Sequence, residues 1–138
     1  MAGWAICRVT DIPRVTDGEA GDPDWHPLQH FFGVATFGAN VFVARQGHET
    51  LVAEHDERSS GQQELYLVLE GEADFELAGE QVRATKGTAI AITDPTVRRR
   101  AVAYAPGTML LAVGASQGPF SSTWRGSHFE NVPRADET

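Results

Sequence analysis

His55, Glu57 and Glu64 put one imidazole and two carboxylates into a ten-residue stretch, residues 55–64. An imidazole titrates near neutrality and acts as a proton acceptor or a metal ligand, and a neighbouring carboxylate can orient it or share a cation with it. Glu64 also opens an apolar run. At a period of two, Glu64, Tyr66 and Val68 point to one face of a strand and Leu65, Leu67 and Leu69 to the other, before Glu70-Gly71 turns the chain. A carboxylate that opens a buried strand just after a His-x-Glu pair either belongs to a binding arrangement or carries an unrewarded desolvation penalty. Taken without further signals, a solvated loop with an ion pair to Arg58 accounts for the three groups equally well.

The elements that must position these groups are short and separated by turn signals. Strands are expected over residues 4–9, 34–45 (one or two), 50–53, 64–69, 73–77, 81–84, 88–92, 97–104 and 108–113. Residues 10–30 hold Pro13, Gly18, Gly21, Pro23 and Pro27 and read as loop. Eight or nine strands at a spacing of roughly 8–12 residues are the signature of an all-β sandwich or barrel. No window carries a helical stripe. Residues 121–129 have room for one short turn with Trp124 packed back, and residues 130–138 are polar and read as a frayed tail.

Composition bounds the function. The chain has 138 residues, enough for one core, and a formal charge of −8 from 11 basic and 19 acidic residues. That balance argues against nucleic acid as a partner, since phosphate binding needs a net basic face. Cys7 is the only cysteine, so no internal disulfide forms, and it lacks a nearby histidine or pair of basic residues to activate it as a nucleophile. No apolar run is long enough for a membrane helix and no signal peptide is legible, so the expectation is a soluble cytoplasmic protein with no membrane partner. Nucleophile elbows, phosphate loops and CxxC pairs are absent from the sequence.

Residues 31–114 resemble a single-domain cupin, a small double-stranded β-helix or jelly-roll barrel of the RmlC-like type. The first cupin motif runs Gly, His-x-His, Glu, six residues and Gly. Glu64 and Gly71 have that spacing, Leu-Val-Leu-Glu-Gly-Glu is the family's usual strand end, and His55 and Glu57 fall on the two histidine positions. The loop from Glu57 to Glu64 is longer than usual, and an alternative register makes His55 the second histidine and Ala53 the first. The second motif starts at Gly87. Thr93 then takes its proline position, Pro95 its glycine position and Arg98 its histidine position.

The resemblance implies a site of His55, Glu57, Glu64 and Arg98 where the family usually has three histidines and a glutamate. Arginine stays protonated and has no lone pair for a metal, so Arg98 reads as a fixed positive charge in the metal's place. No cofactor is therefore favoured, although a divalent transition metal on His55, Glu57 and Glu64 remains the alternative if Arg98 points away. On a strand Arg98 and Arg100 share one face, read as inward, and Arg99 takes the outer one. His55 and Glu64 are the candidate catalytic pair. Glu57, Tyr66, Val68, Arg98 and Arg100 are candidate ligand-binding residues, with Tyr66 equally readable as core, and His30 and His48 read as surface histidines.

Three functions follow as expectations. The first is a metal-free cupin that binds a small polar or anionic molecule. The second is a metal-dependent dioxygenase, isomerase or cyclase, and the third a non-catalytic structural or sensory barrel. Residues 1–30 are read as an N-terminal strand and loop, exchanged between copies of a homodimer through Trp4 and Ile6, and residues 115–138 as a C-terminal tail.

Overall fold

The structure, a computed structural model, describes residues 3–15, 22–118, 120 and 126–135. Among them nine strands form two antiparallel sheets. The strands are β1 (Asp24–His26), β2 (Gly38–Val43), β3 (Thr50–His55), β4 (Gln62–Glu70), β5 (Glu72–Leu77), β6 (Glu80–Thr85), β7 (Ala89–Ile92), β8 (Arg99–Ala103) and β9 (Met109–Ser116). One sheet runs β1-β2-β9-β4-β7 and the other β3-β8-β5-β6. This is the expected jelly roll: apart from the β1-β2 and β5-β6 pairs, consecutive strands go to opposite sheets, and side chains from both inner faces meet in one core. No helix among the described residues is long and apolar enough to cross a membrane.

Binary patterning fills that core. Tyr66 and Val68 of β4, Ala73 and Phe75 of β5, Ala101 and Ala103 of β8, and Leu110 and Ala112 of β9 are buried on facing surfaces. The rings of Tyr66 and Phe75 meet across the sheets with centroids 5.7 Å apart. Burying a side chain of that size contributes roughly 2–3 kcal/mol. Turn chemistry agrees with the strands. Ala78 and Gly79 both have positive φ (51° and 84°) between the paired residues Leu77 and Glu80, the two-residue hairpin loop whose twist suits flanking strands. Gly71, at φ 73°, turns β4 into β5 where an added Cβ would lie 2.5 Å from Thr108 Oγ1, so only glycine fits.

Four expectations change. Residues 4–9 form no strand. Trp4 and Ile6 are 75% and 86% exposed, and the first regular element is a 3-10 turn at Val9–Asp11. A short apolar alternation without a partner strand leaves its backbone groups to water. A strand instead arises at β1, inside the Pro/Gly-rich stretch. Pairing of Trp25 with Phe42 and His26 with Val41 overrides the loop composition, so the sheet begins ahead of residue 31. The chain also contains a five-residue helix, α1 (Leu28–Phe32), closed by Gly33 in the left-handed conformation. It is too short to show a periodic stripe. Trp124 lies outside the described residues.

The fourth change bears on the site. β8 starts at Arg99, after a turn in which Asp94 accepts from the Thr96 amide (2.9 Å) and hydroxyl (2.8 Å). The inward residues are Arg99, Ala101 and Ala103, whereas Arg98 and Arg100 are exposed. The small alanines face the core because Phe75, directly opposite Ala101, takes the space between the sheets.

Candidate functional site

The two sheets meet at a cluster of charge. β4 carries Glu64 inward from the five-stranded sheet. β3 and β8 bring His55 and Arg99, direct ladder partners, from the four-stranded one. Arg99 has a side chain 0% exposed, and its Nη1 lies 2.5 Å from Glu64 Oε1. Its Nε and Nη2 both donate to the Val97 carbonyl, at 3.1 and 2.8 Å. Each guanidinium nitrogen thus has an acceptor, as a buried cation needs.

Glu64 Oε1 also accepts the Tyr66 hydroxyl (3.1 Å) and lies 3.8 Å from His55 Nε2. Burial, and then the Glu64 charge beside it, push the Tyr66 phenol well above its usual range. His55 Nδ1 is 2.7 Å from the Ala53 carbonyl and Nε2 3.0 Å from Glu57 Oε1. Both ring nitrogens therefore face oxygen acceptors. Glu57 is anchored in turn. Its amide donates to the Pro95 carbonyl (2.8 Å), and the Ser60 hydroxyl donates to Oε2 (2.5 Å). The long loop from Glu57 to Glu64 therefore serves to hold Glu57 against His55.

A cavity of about 450 Å³ opens between the sheets above this cluster. His55, Glu64 and Tyr66 line its polar end, and Trp25, Phe42, Leu51, Val52 and Ala112 its apolar walls. The Trp25 indole N–H donates to Asn40 Oδ1 (2.8 Å) and its ring lies tilted against Phe42, centroids 6.3 Å apart.

Of the sequence-derived candidates, His55, Glu64 and Tyr66 face the cavity and Glu57 supports His55 from behind. Val68 is buried in the core below and does not line it. Arg98 and Arg100 are corrected to the outer surface, where Arg98 pairs with Glu54 (3.3 Å) and Asp56 (3.6 Å). The inward cation is Arg99, one residue on. His30 and His48 are exposed and lie outside the cavity. Trp25, Asn40 and Phe42 were not singled out by the sequence. Their signal is the pairing of β1 with β2, which no local pattern announces.

Atoms of His55, Glu57 and Glu64 lie within 4.8 Å of one another, so by type and proximity the three form a group that could hold a divalent ion. The buried Arg99 guanidinium weakens such a site. An ion bound to Glu64 Oε1 through a bond of about 2 Å would sit no more than about 4.5 Å from the buried guanidinium. At an effective dielectric of about 20, that repulsion is about 7 kcal/mol. The oxygen is also already occupied by Arg99 and Tyr66.

Neither a sequence profile of any known protein family nor any curated protein sequence matches the chain. Solved structures do. A cupin protein from Bacteroides fragilis superposes with a TM-score of 0.68 at 16% identity, covering 90% of this chain and 93% of that one. A sugar phosphate isomerase from a cupin superfamily, from Silicibacter pomeroyi, gives 0.65 at 18% identity over 87% and 83%. An RmlC-like cupin from Shewanella frigidimarina gives 0.62 at 18% over 80% and 89%. The fold is that of a single-domain cupin.

Proposed function

We propose that this cupin-fold chain binds a small polar molecule in the cavity between its sheets and does so without a divalent metal. The observation that carries the reading is the buried Arg99 guanidinium, 2.5 Å from Glu64 Oε1. It neutralises the inward carboxylate that an ion would otherwise use, and it stays charged at any working pH. A structural or sensory barrel has no need of a cavity of about 450 Å³ with converging ionisable groups.

If the bound molecule reacts, His55 is the proton-transfer group. Glu57 orients its ring, and Glu64, paired with Arg99, faces the same space. A metal-dependent isomerase is the second reading. It is favoured by the proximity of His55, Glu57 and Glu64 and by the likeness to the Silicibacter pomeroyi protein. We also propose that two copies pair through the exposed N-terminal segment, since Trp4 and Ile6 find no cover in a single chain. Sedimentation at a single monomer mass would reject that.

The deciding experiment is elemental analysis of protein purified without an affinity tag, alongside His55→Ala. The expected content of iron, manganese, nickel and zinc is far below one ion per chain in both. Near-stoichiometric metal that disappears in His55→Ala would establish the second reading.

A further inference from the structure

Resting on that metal-free reading, we infer that the cavity selects an uncharged, hydroxyl-bearing ring compound, a phenol or cyclic alcohol, and rejects both carboxylates and amines. The groups at its polar end are already paired with one another. The Arg99 guanidinium lies 2.5 Å from Glu64 Oε1 and the His55 ring 3.0 Å from Glu57 Oε1. An entering anion finds no unspent cation. Among the described residues no lysine or arginine lines the cavity, and Asp22 is the remaining ionisable group on its wall. Arg99 lies behind Glu64, and Arg98 is occupied outside with Glu54 and Asp56. At the polar end an entering ammonium fares little better, because Glu64 is already compensated by Arg99 and Glu57 is held by His55 and Ser60. Either ion would give up its hydration for an environment that returns little of it.

What the polar end does offer is acceptors. The Tyr66 hydroxyl spends its proton on Glu64 and keeps a lone pair, and the Glu64 carboxylate has capacity left. A neutral hydroxyl is the matching donor. Behind it, the body of the ligand would lie along Trp25 and Phe42 on one side and Leu51 and Val52 on the other. The Trp25 indole N–H is already given to Asn40, so that ring presents only its face, suited to a flat or chair-shaped ring.

Three probes of one shape separate the cases: 4-methylphenol, 4-methylbenzoate and 4-methylbenzylamine. Each is titrated near neutral pH into the protein as isolated and into protein treated with chelator. Binding is read from the NMR shift of the Trp25 indole N–H, identified with Trp25→Phe. The expected result is saturable binding of the phenol, with both ions weaker by about tenfold or more. A benzoate or amine that binds as tightly as the phenol in both preparations overturns the inference. So does an indole signal that the phenol leaves unmoved. Benzoate binding seen before chelator treatment and lost after it would instead point to a bound metal and overturn the metal-free reading itself.

Discussion

Replacing Arg99 by methionine tests the charge cluster at its centre. The substitution keeps a long side chain but removes the guanidinium, leaving the Glu64 carboxylate, 12% exposed, without its 2.5 Å partner and the Val97 carbonyl without either donor. Removing one member of a buried pair costs about 3–5 kcal/mol. The cavity admits some water to Glu64, which places the charge contribution at the lower end, about 3 kcal/mol. The orphaned carbonyl adds about 1 kcal/mol. For a chain of this length, 1 kcal/mol moves the melting temperature by roughly 3–4 °C, so Arg99→Met should melt about 10 °C or more below the parent. Urea denaturation of Arg99→Met, Glu64→Gln and the double variant completes the test. The double variant should be more stable than the summed losses predict by about 2 kcal/mol, because the second change removes a group the first had already orphaned. Strictly additive losses, or a loss under about 1 kcal/mol for Arg99→Met, would refute the pairing.

Other expectations are more local. Arg98→Ala and Arg100→Ala remove exposed side chains, so each should change stability by no more than about 0.5 kcal/mol in urea denaturation and leave probe binding unaltered. Gly71→Ala should cost about 2–3 kcal/mol by the same assay, since its Cβ would meet Thr108 Oγ1 at 2.5 Å and Cα at 2.9 Å, whereas Gly79→Ala, with open space around it, should cost about 1 kcal/mol. Tyr66 is held protonated in the fold. Its contribution is present below the unfolded phenol value near 10 and is lost as pH rises beyond it, so ultraviolet titration of Tyr104→Phe should show no phenolate step near pH 10 while the protein stays folded. Asp94 has its carboxyl below the usual range because the Thr96 amide and hydroxyl donate to it. Its contribution is present above about pH 4 and is lost as pH falls through the lowered value, and Asp94→Ala should abolish that part of the acid sensitivity.

The parts of the site that could be read from sequence are those where polarity contrasts along the chain. In β4 a charged loop gives way to alternating apolar residues, so the shared face of Glu64, Tyr66 and Val68 followed from period two, and the Glu64-to-Gly71 spacing carried the fold resemblance. β8 offers no such contrast. Three consecutive arginines look alike on both faces, and the residues that point inward beyond them are alanines, the least informative apolar type. Parity there is set by the Asp94 turn, which delays the strand to Arg99. The idea of a fixed cation in the metal's place was available from the motif, but its residue number depended on that turn. The aromatic wall was illegible for a different reason. Three residues of β1 amid prolines and glycines become a strand only because β2 is there to pair with them.

If a buried guanidinium takes the place of a metal ion, removing it should open the site to one. Calorimetric titration of Mn(II) and Zn(II) into the tag-free parent and into Arg99→Met tests it most directly. The expected result is no saturable site in the parent and a new one in Arg99→Met, where His55, Glu57 and Glu64 are freed from the repelling charge. A stoichiometric site in the parent, unchanged or weakened in Arg99→Met, would contradict it.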